Sequence, residues 1–414
     1  MKTTIHTAHT QQLLELEDHF GARNYHPLPV VLSRGEGIYL WDVEGKKYFD
    51  FLSGYSSLNQ GHCHPRLVDA LVKQGQRLTL TSRAFHSDQL GSYAKFMCRL
   101  FGYDRLLPMN TGVEAVETAI KLSRKWAYEV KGIPEAKAKI VVCTGNFHGR
   151  TIGVISFSTD PTARKHFGPY LPGFTVIPYN DVQALQRALR DPDVAAFLVE
   201  PIQGEAGVVV PNEGYLSRSK ELCEEANVLF VADEIQTGLG RTGKMLACDH
   251  ERVRPDIVIL GKALGGGLLP VSAVLADDEI MLTIKPGEHG STYGGNPLAC
   301  AVAREAVQVL IDEKMIENAA TMGELLRREL AKLESPFLRK VRGKGLLNAI
   351  VIEHPDPQAA WNLCLYMKDI GKVGLLAKPT QGDRIRLAPP LIITEAQLLE
   401  AVHIIGKGLK MLGE

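Results

Sequence analysis

Two apolar runs in the middle of the chain end at charged residues, and this pair constrains the fold more than any other feature. Val228-Leu-Phe-Val-Ala232 stops at Asp233. Ile257-Val-Ile-Leu260 is followed by Gly261, Lys262 and then the glycines Gly265, Gly266 and Gly267. Short β-branched runs bounded by turn residues are the pattern of strands buried on both faces of a parallel sheet. In such sheets ligands collect beyond the carboxyl ends of the strands. The spacing therefore predicts a carboxylate and an amine at one sheet edge. Further strands are expected at 139–143, 195–199 and 271–275, with helical patterns between them from about Asn59 to Gly290. That alternation predicts an α/β architecture around a mostly parallel sheet.

The chain has 414 residues and is 45% hydrophobic, enough to bury a large core in more than one domain. Three parts are expected: an N-terminal arm and small hairpin over 1–58, a large domain over 59–295, and a linking helix with a smaller C-terminal domain over 296–414. The first part reads as a short helix at 11–19, a Pro-rich extended arm at 24–30, and two strand-like stretches, 37–45 and 47–52, around Glu44-Gly45. Asn296-Pro297 has the form of a helix start, with Asn as cap and Pro in the first turn. Strands at 346–351 and 384–387 and helices at 359–369 and 395–412 are expected in the tail.

Lys plus Arg and Asp plus Glu are 47 each, so charge gives no reason to expect nucleic acid or an anionic membrane as a partner. Seven scattered cysteines without a CxxC pair point to buried thiols in a reducing compartment, with no metal site. No run of 18 apolar residues predicts a membrane span. Residues 1–10 resemble neither a secretory signal nor a mitochondrial presequence, so the cytoplasm is expected, or the mitochondrial matrix if the chain is a processed form.

An amine and an acid at neighbouring strand ends are what a pyridoxal 5'-phosphate enzyme needs. The lysine condenses with the cofactor aldehyde, and the acid pairs with the protonated pyridine nitrogen. Taken singly, an Asp after a strand is usually a turn or cap residue, and a Lys beside glycines is usually solvated. The longer strings decide: VADEIQTGLGRTG and DIVILGKALGGG resemble the class III pyridoxal phosphate aminotransferases. The resemblance implies a fold-type I transferase, with a large mostly parallel-sheet domain, a smaller α+β C-terminal domain with the N-terminal segment, and a homodimer with shared active sites. No GxGxxG or GxxxxGK[ST] follows a strand, which weighs against a nucleotide-binding protein without covalent chemistry.

On this resemblance Lys262 and Asp233 are catalytic, and Gln236 donates to the cofactor's phenolic oxygen. Thr111-Gly-Val113 holds the phosphate at a helix start, where Thr111 and Glu114 also form a capping-box pattern. Gly265 to Gly267 are expected to permit a tight backbone next to the ring. Phe147 stacks on the cofactor face, and His148 next to it is either a supporting residue or solvent-exposed. Ser291 and Thr292 resemble the segment that reaches the phosphate of the neighbouring subunit.

Within the family the resemblance sharpens to the ornithine aminotransferases, from Gly21 to about Ile393. The strings that carry it include NYHPLPV, GIYLWDVEGKKYFDFLSGYS, VEPIQGEAGVVVP and KPGEHGSTYGGNPL. It implies transfer of the δ-amino group of ornithine to 2-oxoglutarate in two half-reactions. Acetylornithine and 4-aminobutyrate are the rival donors. It further implies that Tyr25 and Arg150 hold the α end of ornithine, and that Tyr55 shapes the pocket. Arg386 takes the α-carboxylate of glutamate or 2-oxoglutarate, and Glu205 covers Arg386 while ornithine is bound. Asp369-Ile-Gly-Lys-Val373 departs from the family's usual length; Arg386 is preferred to Arg384 because it stands directly before Leu-Ala-Pro-Pro.

Overall fold

A computed structural model describes residues 7–413; positions 1–6 of the expected N-terminal part and Glu414 of the C-terminal one lie outside the described residues. Strands β1 (Leu32–Glu36), β2 (Tyr39–Asp42) and β3 (Lys47–Asp50) form the first sheet. The turn at Glu44-Gly45 joins β2 to β3 antiparallel, and Asp42 fastens it by accepting from the Glu44 and Lys46 N–H groups at 3.0 and 2.8 Å. The element is larger than the hairpin expected from sequence. β1 pairs with β2, and a segment from far down the chain, Val373–Leu376, pairs parallel with β3.

The second sheet has seven strands: β4 (Arg105–Met109), β5 (Lys139–Cys143), β6 (Phe174–Ile177), β7 (Val194–Val199), β8 (Leu229–Asp233), β9 (Ile257–Leu260) and β10 (Ser272–Ala276). Their order is β4-β10-β9-β8-β7-β5-β6, and only β10 runs against the rest. Strands β7 to β10 are buried at every residue, which is why their sequences are apolar apart from Asp233 at the end of β8 and Ser272 at the start of β10. β4 and β6 lie at the two edges and escape the sequence pattern. β4 contains Pro108, which an edge strand tolerates because one of its sides needs no donor. This order sets the carboxyl ends of β5, β7, β8 and β9 side by side, with the end of β4 on the same edge.

Asn296 caps the helix Pro297–Asp312 by accepting from the Ala299 N–H at 2.8 Å. The third sheet, antiparallel, is built from β11 (Leu338–Lys344), β12 (Leu347–Ile352), β14 (Lys378–Thr380) and β15 (Arg384–Leu387), in the order β11-β12-β15-β14. Val373–Leu376, which is β13, leaves it to join the first sheet. The tail therefore touches both the N-terminal segment and the mouth of the central sheet. Among the described residues no helix is long and apolar enough to cross a membrane.

Candidate active site

Asp233 is the last residue of β8, and Lys262 stands two residues beyond β9, its parallel neighbour. Both line one cavity, together with Gly112, Val113, Phe147, His148 and Gln236. With Glu200 and Ile202, which also line it, five separate stretches meet there because their strands end on one edge. Burial pushes the Lys262 amine below the ordinary lysine range, against the pull of Glu205 and Asp233. An amine so placed is more often neutral, and so more nucleophilic, than a solvated one.

His148 is buried, which excludes the solvent-exposed alternative. Its Nδ1–H donates to Asp233 Oδ2 at 2.7 Å, while Asp233 Oδ1 accepts from the Ile235 N–H at 3.1 Å. Burial works against a charge on the imidazole, but the bond to Asp233 and the charges of Asp233 and Glu200 together outweigh it and raise its proton affinity. A second acid, Glu200, lines the same cavity just past the end of β7 and accepts from the Phe147 N–H at 2.9 Å. Burial lifts its pKa to about 7. The native chain then holds this proton more tightly than the unfolded chain, so stability falls as pH rises from about 4.5 to about 7. Glu200→Gln removes that loss. The melting-temperature gain of the variant over the parent is expected to be near zero at pH 5 and to grow by pH 8; a pH-independent difference contradicts it.

The helix Gly112–Trp126 starts with the capping box read from sequence. Thr111 takes the Glu114 N–H, and Glu114 takes the Thr111 N–H. Thr111 itself is exposed and outside the cavity lining, and it caps the helix that brings Gly112 and Val113 to the site. Gly112 and Val113 are the first helical residues, whose N–H groups a helix leaves unpaired. The backbone after Lys262 turns tightly at two of the three glycines. Gly266 and Gly267 have φ of 58° and 74°, and a Cβ there would lie 2.5 Å from Leu67 Cδ1 and 2.2 Å from Leu58 Cδ2. They make room for two leucines, and Gly265 has only ordinary contacts.

Next to the cavity, Arg386 donates to Glu205 Oε1, and the lining residue Gln236 donates from Nε2 to the same oxygen at 3.2 Å. Burial alone would raise the Glu205 pKa, but Arg386 and Lys262 overcome it and hold the carboxyl below its usual range. The Arg386 guanidinium lies 5.0 Å from the centre of the half-buried Tyr55 ring. Arg384 instead reaches the Ala206 carbonyl and Asp383. Gln236 thus has its amide nitrogen engaged and its Oε1 without a partner among the described residues. The amide nitrogen keeps a second N–H that a ring oxygen can take. Gly204 lets the side chain pass, since a Cβ there would sit 1.8 Å from Gln236 Oε1.

The remaining expected residues do not line the cavity. Tyr25 is exposed, with Lys378 Nζ 5.7 Å from its ring centre. Arg150 lies over the Phe147 ring at 5.2 Å and 3.9 Å from Asp160. Ser291 Oγ accepts from Asn110 Nδ2 at 2.7 Å, and Thr292 is exposed.

The family model described as "Aminotransferase class-III" matches residues 20–409. The chain belongs to the class III aminotransferases. It is 61% identical over 412 residues to the mitochondrial ornithine aminotransferase of Rattus norvegicus, covering 98% of this chain and 93% of that one. Among solved structures it resembles the ornithine aminotransferase of Toxoplasma gondii crystallised with oxidised glutathione (TM-score 0.95, 49% identity, 98% and 95% of the two chains), which carries PLP at partial occupancy. It also resembles an acetylornithine aminotransferase from Elizabethkingia anophelis (TM-score 0.89, 58% identity, 97% and 99%).

Class III aminotransferases depend on pyridoxal 5'-phosphate, and this cavity has the donor set for it: a depressed amine, a strand-end acid backed by an imidazole, and a helix start whose first N–H groups face no capping side chain. The site holds one residue that reading the sequence passed over. Glu200 follows a strand end as Asp233 does, and the same rule applied to β7 would have found it.

Proposed function

We propose that this enzyme moves the δ-amino group of L-ornithine to 2-oxoglutarate, giving glutamate-5-semialdehyde and glutamate by a ping-pong route. The observation that carries the reading is the Glu205–Arg386 pair beside Tyr55, joined to the Lys262 cavity through Gln236. One pocket must admit a cationic chain end in the first half-reaction and a carboxylate in the second. An arginine masked by a mobile acid serves both. The desolvated guanidinium is neutralised while the diamino acid is bound, and is freed when an oxo acid arrives.

When bound, pyridoxal phosphate condenses with amines and, with its ring nitrogen protonated, accepts the electron pair released as the neighbouring C–H bond breaks. The chain's residues do the rest. Lys262 holds the cofactor and, once displaced, carries the proton between the substrate carbon and the cofactor. Asp233, fixed by His148, keeps the ring nitrogen protonated. Phe147 sets the ring plane, and Gly112 and Val113 take the phosphate. Gln236 addresses the phenolic oxygen with its second amide N–H. Tyr25 and Arg150 hold the α end of ornithine as that end arrives from solvent, consistent with their exposure. We assign Ser291 and Thr292 to the phosphate of a second copy, so that a homodimer completes each site; their position outside their own chain's cavity supports this. The three-part division at about 58 and 295 is retained. Free thiols suit a reducing compartment, the cytoplasm or, for a processed form, the mitochondrial matrix.

A donor panel tests the reading: L-ornithine should be used with at least roughly a hundred-fold higher kcat/KM than N-acetylornithine or 4-aminobutyrate, a difference of about 2.7 kcal/mol. Preference for N-acetylornithine would replace it with the function of the Elizabethkingia protein. Tyr55→Ile opens the wall opposite Arg386 and should lower the ornithine to 4-aminobutyrate ratio by roughly ten-fold. An unchanged ratio counts against Tyr55 as the selector.

A further inference from the structure

Arg241 is the largest side chain in the fold with no exposed surface. It lies in the loop that follows β8, eight positions after Asp233 and five after Gln236. Its Nε and Nη2 donate to Asn59 Oδ1 at 3.1 and 2.6 Å, and its Nη1 donates to the carbonyls of Leu346 and Pro389 at 3.1 and 2.6 Å. All these acceptors are neutral, and no carboxylate forms an ion pair with it among the described residues. Burial lowers its pKa to about 9.

The partners are not arbitrary. Asn59 follows Tyr55 by four residues, and Pro389 follows Arg386 by three. Leu346 leads into β12, whose Ala349 pairs with Arg386 on β15. Return bonds close the node: Leu346 N–H donates to the Arg241 carbonyl at 3.0 Å, Asn59 Nδ2 to the Leu239 carbonyl at 2.8 Å, and Leu391 N–H to the Asn59 carbonyl at 2.8 Å. One guanidinium therefore ties the loop that carries the cofactor-side residues to both elements that carry the substrate-end residues.

A buried cation on neutral oxygens is a poor way to gain stability, since an apolar side chain of similar volume packs at lower desolvation cost. It is a good way to fix geometry, because the planar fork holds several acceptors in one arrangement that an ammonium cannot copy. We infer that Arg241 is a positioning residue, which sets the distance from the cofactor-binding edge to the Tyr55 and Arg386 pair and so tunes recognition of the substrate's far end. The role rests on the reading of Arg386 and Tyr55 given above. Arg386 loses Glu205 when the oxo acid binds, so only its backbone anchorage then keeps it in place.

The test is steady-state kinetics of the cofactor-loaded enzyme with both substrates. Arg241→Lys should raise KM for ornithine and 2-oxoglutarate by roughly ten-fold or more, while saturating turnover per cofactor-loaded site stays within about three-fold, because Lys262 and Asp233 are untouched. Asn59→Ala, which removes the acceptor and leaves the arginine its two carbonyls, should shift KM the same way and decides the matter if the lysine variant does not fold. Asn59→Asp keeps the acceptor for Arg241 but loses the bond to the Leu239 carbonyl, so its KM should lie between those of the parent and Asn59→Ala. A loss of turnover or of melting temperature with both KM values unchanged in Asn59→Ala would overturn the inference and leave Arg241 a packing residue. Failure of the parent itself to use ornithine would instead overturn the proposed function.

Discussion

Lys262→Ala removes the visible absorption of the cofactor-loaded protein and lowers turnover by roughly ten-thousand-fold or more. Two roles are lost at once. The amine that anchors the cofactor is gone, and so is the base that carries the proton between the two carbons. No other amine lines the cavity, and the remaining titratable groups there are already engaged: His148 with Asp233, and Glu200 with the Phe147 N–H. Added small amines should restore part of the turnover, since the cavity left by the side chain opens beside the reacting atoms. The check is a spectrum and a progress curve on the same preparation. Turnover within ten-fold of the parent, without added amine, contradicts the assignment.

Arg386→Met should separate the two half-reactions. The ornithine half-reaction needs Arg386 only as a masked group and should keep most of its rate. The 2-oxoglutarate half-reaction loses its carboxylate partner, and its kcat/KM should fall by roughly a hundred- to a thousand-fold, about 3–4 kcal/mol. Stability falls too. Glu205 is left partly buried with only Gln236 and Lys262 to offset its desolvation, and because part of it stays solvated the loss should fall below the about 3–5 kcal/mol of a fully buried pair. The depressed Glu205 carboxyl gives the pH dependence its sign. The pair stabilises the parent above the ordinary carboxylate range, and that contribution is lost as pH falls through the lowered value. Adding Glu205→Gln to Arg386→Met should recover most of the stability and none of the oxo-acid reaction. Single-turnover measurements of each half and thermal unfolding of both variants report these outcomes. Equal losses in the two halves contradict the masking role.

Parts of the fold were legible because burial writes them into the sequence. The strands Lys139–Cys143 and Ile257–Leu260 and the helix Ala359–Asp369 match their expected limits, since each apolar pattern ends at a turn residue or a charge. Arg105–Met109 and Phe174–Ile177 were hidden because an edge strand is half free of the burial that makes a strand apolar, and Pro108 reads as a breaker. The pairing of Val373–Leu376 with Lys47–Asp50 joins segments over 300 residues apart, and no local pattern announces it. The site follows the same division. Asp233 and Lys262 were visible as charges ending strands. The bond of His148 to Asp233 spans 85 residues and depends on which strands lie side by side. Arg241 looks like a loop residue in a glycine-rich string and is among the most deeply buried charges in the chain.

The most direct test of the central claim is a half-reaction on cofactor-saturated enzyme with no oxo acid present. On adding L-ornithine, the visible band should disappear as a stoichiometric amount of a spontaneously cyclising aldehyde is released. 2-Oxoglutarate should then restore the band with formation of glutamate. A band that stays unchanged with L-ornithine but bleaches with N-acetylornithine would contradict the account.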